Sequence, residues 1–122
     1  MKLRIILEKE NGVLWGRASY NKELIAASAA TLQALEKKLK KILLDFHELS
    51  DVEFDYEYDL TVFFEEFNFL NQSKIAELSG INPGLLRQYA SGVKNPSKEQ
   101  ANKIQTAIRD LAGRLRAIKI SA

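Results

Sequence analysis

GINPGLLRQYASG, residues 80–92, decides how the second half of this chain is read. Proline and glycine cost a helix interior about 3 and about 1 kcal/mol relative to alanine. Yet Pro83-Gly84 stands directly ahead of Leu85, Leu86 and Tyr89, which have helical spacing. The pair makes sense at a helix start. Asn82 is a favoured N-cap, and proline one position later gives up an N–H that has no intrahelical partner. The stretch is therefore predicted to be a turn, a proline-started helix and a glycine stop at Gly92.

Working outward, residues 60–70 (LTVFFEEFNFL) predict a short helix with Asp59 placed to cap it. NQSKIAELSG predicts a second helix ending at Gly80. After Pro96, Ser97 and Gln100 have capping-box spacing, which sets the start of a long last helix running to Ile120. Its Ala101, Ile104, Ile108, Leu111, Leu115 and Ile118 form one three-four stripe, which at fewer than three heptads is more often a bundle core than a coiled coil, with Leu115 and Ile118 beyond Gly113 placed to extend past the bundle to a partner chain. Two short helices joined at a glycine turn, with Ala76 at the close approach and Ile81, Leu86 and Tyr89 inward, have the pattern of a helix-turn-helix. An ordinary helical bundle uses the same anchors.

Over roughly residues 60–112, including the GVKNPS loop after the third helix, the chain resembles the phage-repressor (XRE) type of helix-turn-helix. In that architecture the N-terminal residues of the second helix enter the DNA major groove. Asn82, Gly84, Arg87, Gln88 and Ser91 are the expected base-reading positions. Arg87 and Gln88 have side chains suited to bidentate contacts with guanine and adenine edges. Gln72, Ser73, Lys94 and Asn95, at neighbouring helix ends, are the expected phosphate contacts. Gly84 has two readings: it lets the helix start come close to DNA, or it is an exposed first-turn residue that costs little.

Charge divides along the chain in the same sense. Residues 1–70 hold 9 Lys+Arg against 13 Asp+Glu, and residues 71–122 hold 9 against 3, within a net charge of +2. A basic C-terminal segment fits an anionic partner. The chain has no cysteine, so disulfides and thiolate metal sites are excluded and a cytoplasmic protein is expected. The longest uncharged apolar run, LIAASAATL, is too short to span a bilayer.

The first half has a different rhythm. Residues 2–20 form two β-rich runs around Asn11-Gly12, the pair that best supplies a type I′ hairpin turn. ELIAASA is a weaker third strand because of its alanines. From Thr31, Leu32, Leu35, Leu39, Ile42, Leu43 and Phe46 recur at helical spacing, with Lys37, Lys38, Lys40 and Lys41 mostly between them, which predicts an amphipathic helix of about five turns. DVEFDYEYD then alternates strictly, with Val52, Phe54, Tyr56 and Tyr58 on the core side. The predicted class is α+β: a β-β-β-α-β sheet-plus-helix unit over residues 1–59, then an all-α unit over 60–122.

That whole order resembles HicB-type antitoxins, with LEKENGVLWGRASY similar to the family's opening hairpin and TLQALEKKLKKIL to its helix. The resemblance implies a reduced ribonuclease-H-like N-terminal fold without catalytic carboxylates that covers a small basic RNA-cleaving toxin. It also implies a C-terminal part that binds double-stranded operator DNA. Where the family commonly carries a Pro/Gly-rich loop after the second strand, this chain has YNKEL, and a solitary regulator of the same architecture stays open. Asp51, Glu53, Asp55, Glu57 and Asp59 span about 27 Å at strand rise. They are the candidate toxin-facing row, or simply the polar face that keeps an edge soluble.

No enzymatic constellation emerges. His47 is the lone histidine, and there is neither a phosphate-binding glycine loop nor a nucleophile elbow. No metal, cofactor or catalytic residue is expected. One helix-turn-helix covers half a site, so a homodimer or higher oligomer is expected. Two further readings remain: RNA binding through Lys37, Lys38, Lys40 and Lys41, which lack an aromatic stacking platform, and a protein-interaction module that does not touch DNA.

Overall fold

A computed structural model describes residues 1–122 and divides them into two units, Met1–Glu66 and Phe67–Ala122. The first holds β1 (Lys2–Glu10), β2 (Val13–Tyr20), β3 (Glu23–Ala29), α1 (Leu32–His47), β4 (Glu53–Tyr58) and α2 (Leu60–Glu66). The second holds α3 (Gln72–Ser79), α4 (Pro83–Ser91) and α5 (Lys98–Ala117).

The sheet order is β3-β2-β1-β4, with β1–β2 and β2–β3 antiparallel and β1–β4 parallel. Asn11-Gly12 makes the first turn with φ of 51° and 76°, as expected of a type I′ hairpin. A second turn of the same kind joins β2 to β3 at Asn21-Lys22, with φ of 55° and 66°. There the chain accepts a left-handed lysine, for which asparagine ahead of it was the only signal.

Because β3 and β4 are the two edges, α1 has to carry the chain across the sheet, and it covers one face. Leu3, Ile5 and Leu7 of β1 and Leu14, Gly16 and Ala18 of β2 alternate inward. Leu35, Leu39 and Leu43 of α1 meet them, each buried almost completely. Burial of such a side chain contributes about 1.5–3 kcal/mol. The alanines that weakened the third strand in sequence have a purpose here. Ala27 sits in register with Gly16, and Ala29 with Leu14, so the surface below α1 is built of small groups. Gly16 is the extreme case: a Cβ there would lie 3.0 Å from Leu35 Cδ2 and 3.2 Å from both Ile5 Cγ2 and Leu39 Cδ1.

Three expectations need correction in this unit. Phe46 lies on the apolar stripe by spacing but is 77% exposed, one residue from the end of α1. The helix itself is 16 residues long, capped by Thr31 Oγ1, which accepts from Ala34 N at 3.1 Å. β4 covers only Glu53–Tyr58, with Asp51 before it at φ 55° and Asp59 after it. Finally, α2 belongs with the sheet, so the division falls after Glu66 rather than after Asp59. Val62 joins the sheet core, Phe63 meets Tyr58 edge-on with centroids 6.2 Å apart, and Lys9 of β1 pairs with Glu65.

The helix-facing side of β4 is an aromatic row. Phe54, Tyr56 and Tyr58 are half-buried and touch edge-on, with centroids 6.0 and 6.3 Å apart. The Tyr56 hydroxyl is buried without a well-formed hydrogen bond although the Glu36 carboxylate is its electrostatic neighbour. Burial first, and the Glu36 charge second, push its pKa up to about 12. At the far end of α1, His47 Nε2 lies 3.6 Å from Glu23 and its ring meets Tyr20 edge-on.

In the second unit α3 packs on α4 and on α5. Ile75, Ala76, Ile81, Leu86, Tyr89, Ile104 and Ala107 are its buried residues. The long last helix stops at Ala117, short of Ile120, and its end differs from its beginning. Ile104 is buried, whereas Leu115 is 54% exposed and Ile118 59%. Ser97 Oγ caps Gln100 N at 3.2 Å, but Gln100 Oε1 is buried without a partner, so only half of the capping box is formed. No helix is long and apolar enough to cross a membrane.

Candidate nucleic-acid interface

The stretch Gly80–Gly92 folds as its end residues dictate. α3 starts at the Asn71 cap, whose Oδ1 accepts from Lys74 N at 3.1 Å, and ends at Gly80 in the left-handed region, φ 72°. Ile81 N then donates back to Ala76 O at 3.0 Å, closing the turn while burying the Ile81 side chain. Two residues later Pro83 opens α4, and Asn82 Oδ1 accepts from Gly84 N at 2.8 Å and Leu85 N at 3.3 Å. Gly92, φ 83°, ends the helix with its N–H to Tyr89 O. Lys94 N donates to Gln88 O at 3.2 Å, which folds the following loop back onto the end of α4.

α4 therefore has one buried side, Leu86 and Tyr89, and one outer side. On the outer side Arg87 and Ser91 are exposed and Gln88 is half-buried. Ser91 Oγ donates to Gln88 O at 3.3 Å. Gln72, at the start of α3, joins Gly84, Arg87, Gln88, Ala90 and Ser91 around one shallow concavity. Five of the nine positions expected from sequence are thus brought together. Ser73, Lys94 and Asn95 are exposed but do not line it. Ala90, which sequence reasoning did not single out, does; a small residue three positions after Arg87 was its only signal.

Asn82 has a structural role as well as its expected one: its side-chain oxygen accepts from the two backbone donors of the first turn and caps α4, a bond that does not use its amide nitrogen. Replacing a capping asparagine by alanine costs about 1 kcal/mol, and by glycine only a few tenths. Asn82→Ala is expected to lower the stability of the helical unit by about that amount while Asn82→Gly leaves it nearly unchanged, measured by urea unfolding followed by circular dichroism.

Gly84 lies against the same cap. Its backbone does not require glycine, since its φ is not positive. A Cβ there would sit 3.1 Å from Asn82 Oδ1 and 3.8 Å from Arg87 Nη2. Glycine thus keeps clear the oxygen that starts α4 and leaves the helix N-terminus open beside Arg87.

The acidic row is shorter than the sequence suggested. Glu53, Asp55 and Glu57 are exposed at alternate positions of β4. Asp59 is spent on α2, its Oδ1 accepting from Thr61 N at 2.9 Å, and Asp51 stands off the strand. Lys2 and Arg4 of β1 lie in register with Glu53 and Asp55, and Arg4 Nε reaches Glu57 at 3.3 Å. These pairs are exposed, so each is worth little to stability, but they reduce the field of the row. Nowhere do three or more His, Asp or Glu residues converge as a metal site would require. No family model, curated protein or solved structure matches the chain.

Proposed function

We propose that this chain is a sequence-specific DNA-binding transcriptional regulator whose α3–α4 pair is a helix-turn-helix, with α4 as the recognition helix. The observation that carries this reading is the outer side of α4: Arg87, Gln88 and Ser91 share one shallow surface with Gln72, directly opposite the buried Leu86 and Tyr89. Arg87 reads guanine and Gln88 adenine, by the donor and acceptor geometry of their side chains. Ser73, Lys94 and Asn95 contact phosphates on either flank and set the register. The surplus of nine bases over three acids after residue 70 supplies the sequence-independent attraction. Paired half-sites about 34 Å apart call for a homodimer.

The test uses duplexes selected from a random pool by the full chain, compared with unselected DNA. Arg87→Ala is expected to cost about 1–3 kcal/mol on the selected site and to relax preference at one base pair. Lys94→Ala is expected to weaken both DNAs alike and to reduce the salt slope by about one. If the two variants behave identically on selected and random DNA, α4 is not the reader.

The acidic strand favours a further element of this reading, in which the first unit masks a small basic RNA-cleaving toxin and the chain represses its own operon as an antitoxin. Glu53, Asp55 and Glu57 remain a one-sided row, and such a row steers a basic partner. A pull-down with the product of the neighbouring gene, at low and high salt, tests it. Absence of a bound protein at either salt leaves a solitary regulator.

A further inference from the structure

The two edges of the sheet differ in chemistry. β4 carries Glu53, Asp55 and Glu57 at alternate positions, so a strand pairing with a copy of itself would bring acids face to face. β3 has no such row of acids. From Leu24 to Ala29 it has no charge of its own, no proline and no break in register, and the Lys38 ammonium reaches only the Ser28 carbonyl. A strand edge left open to this extent is a template for another strand.

The hydrogen-bonding parity of β3 follows from its turn. A two-residue type I′ loop at Asn21-Lys22 makes Tyr20–Glu23 a hydrogen-bonded pair. Counting onward, Ile25, Ala27 and Ala29 bond inward to β2, while Leu24, Ala26 and Ser28 aim their N–H and C=O groups away from the sheet. Lys38 Nζ agrees with this parity, since it donates to Ser28 O at 2.7 Å from outside the ladder. The side chains of these three residues lie on the face that α1 does not cover, and Leu24 is 73% exposed.

We propose that β3 pairs antiparallel with β3 of a second copy, about a two-fold axis at Ala26. Ala26 then faces its own symmetry mate and Leu24 faces Ser28, with each facing pair exchanging two main-chain hydrogen bonds. The Ser28 carbonyl has a second lone pair for this bond beside Lys38. The occupant is a second copy because the stretch has no charge with which to select an acidic or basic peptide. An isologous pair also satisfies every outward donor and acceptor of Leu24 and Ala26 with its own mate. Small side chains at Ala26 and Ser28 let the strands approach without collision. Two four-stranded sheets become one continuous sheet.

This inference stands apart from the DNA reading and is measured without DNA. Sedimentation of the full chain over a wide concentration range is expected to show particles of at least twice 13.8 kDa. Hydrogen exchange at Leu24, Ala26 and Ser28 is expected to slow by more than roughly tenfold as concentration rises. Ala26→Pro removes an N–H that makes no bond within the monomer's sheet, and Ala26→Lys sets two ammonium groups opposite each other at the axis. Each is expected to halve the particle mass with unchanged circular dichroism; should the proline variant misfold, the lysine variant decides. A wild type that is monomeric throughout, a dimer with freely exchanging Leu24 and Ala26 amides, or an Ala26→Lys variant of undiminished mass overturns the proposal. So does halving by Leu115→Glu with Ala26→Lys ineffective, which would move the interface to the last helix.

Discussion

Gly16→Val is expected to unfold the sheet unit or to lower its melting temperature by roughly 10 °C or more, since overpacking a core costs about 1–3 kcal/mol and occasionally more. The new side chain would enter between Leu35, Leu39 and Ile5, which have no exposed surface and no room to retreat. Valine's high strand propensity, worth up to about 1 kcal/mol, acts in the opposite direction and does not offset the collision. Trp15, the only tryptophan, neighbours Gly16 on β2 and makes fluorescence a local reporter of the transition. Gly113→Ala supplies the contrast. A Cβ at Gly113, within α5, would meet nothing within 4 Å, so that change is expected to stabilise the helical unit by about 0.8–1 kcal/mol. Two glycine substitutions of the same sign would mean that packing below α1 is looser than the distances indicate.

Leu86→Ala is expected to cost the helical unit about 2–5 kcal/mol, the range for emptying a buried leucine site. Leu86 is fully buried in a unit of 56 residues, and units of that size have little stability to spare. Its melting, followed by circular dichroism, should broaden or disappear at room temperature. Arg87→Ala, one residue along and exposed, should leave that transition within about 0.5 kcal/mol of wild type. The pair of neighbours separates fold from surface: on the proposed DNA-binding reading, loss of binding in the Arg87 variant with an intact melt belongs to the surface, whereas loss in the Leu86 variant belongs to the fold.

Much of this architecture was legible because local rules agree with each other. Asn11-Gly12 turns as its φ preferences require, Asn82-Pro83 starts a helix, and Gly80 and Gly92 end helices in the left-handed region. The alternation of β4 and the three-four spacing of α1 were visible for the same reason: each follows from the period of its own backbone. Phe46 was misread because periodicity tells which side of a helix a residue takes but not whether anything lies opposite it. The α2 boundary was misread because LTVFFEE is apolar enough to belong to either unit.

Sequence by itself determined the kinds of element, the ends marked by a cap or a glycine stop, and the outward position of Arg87, since each depends on residues within about one helical turn. Tertiary structure alone decided three things. It placed Gln72 beside Arg87 and Gln88, although Gln72 lies fifteen residues before Arg87. It showed that the Asn82 side-chain oxygen caps α4 and that Gly84 gives the cap oxygen room. It also made β3 and β4 the sheet's edges, leaving one of them uncharged. The physical reason is common to all three: which groups remain unsatisfied at a surface depends on what packs against them from distant parts of the chain, and no local periodicity carries that information.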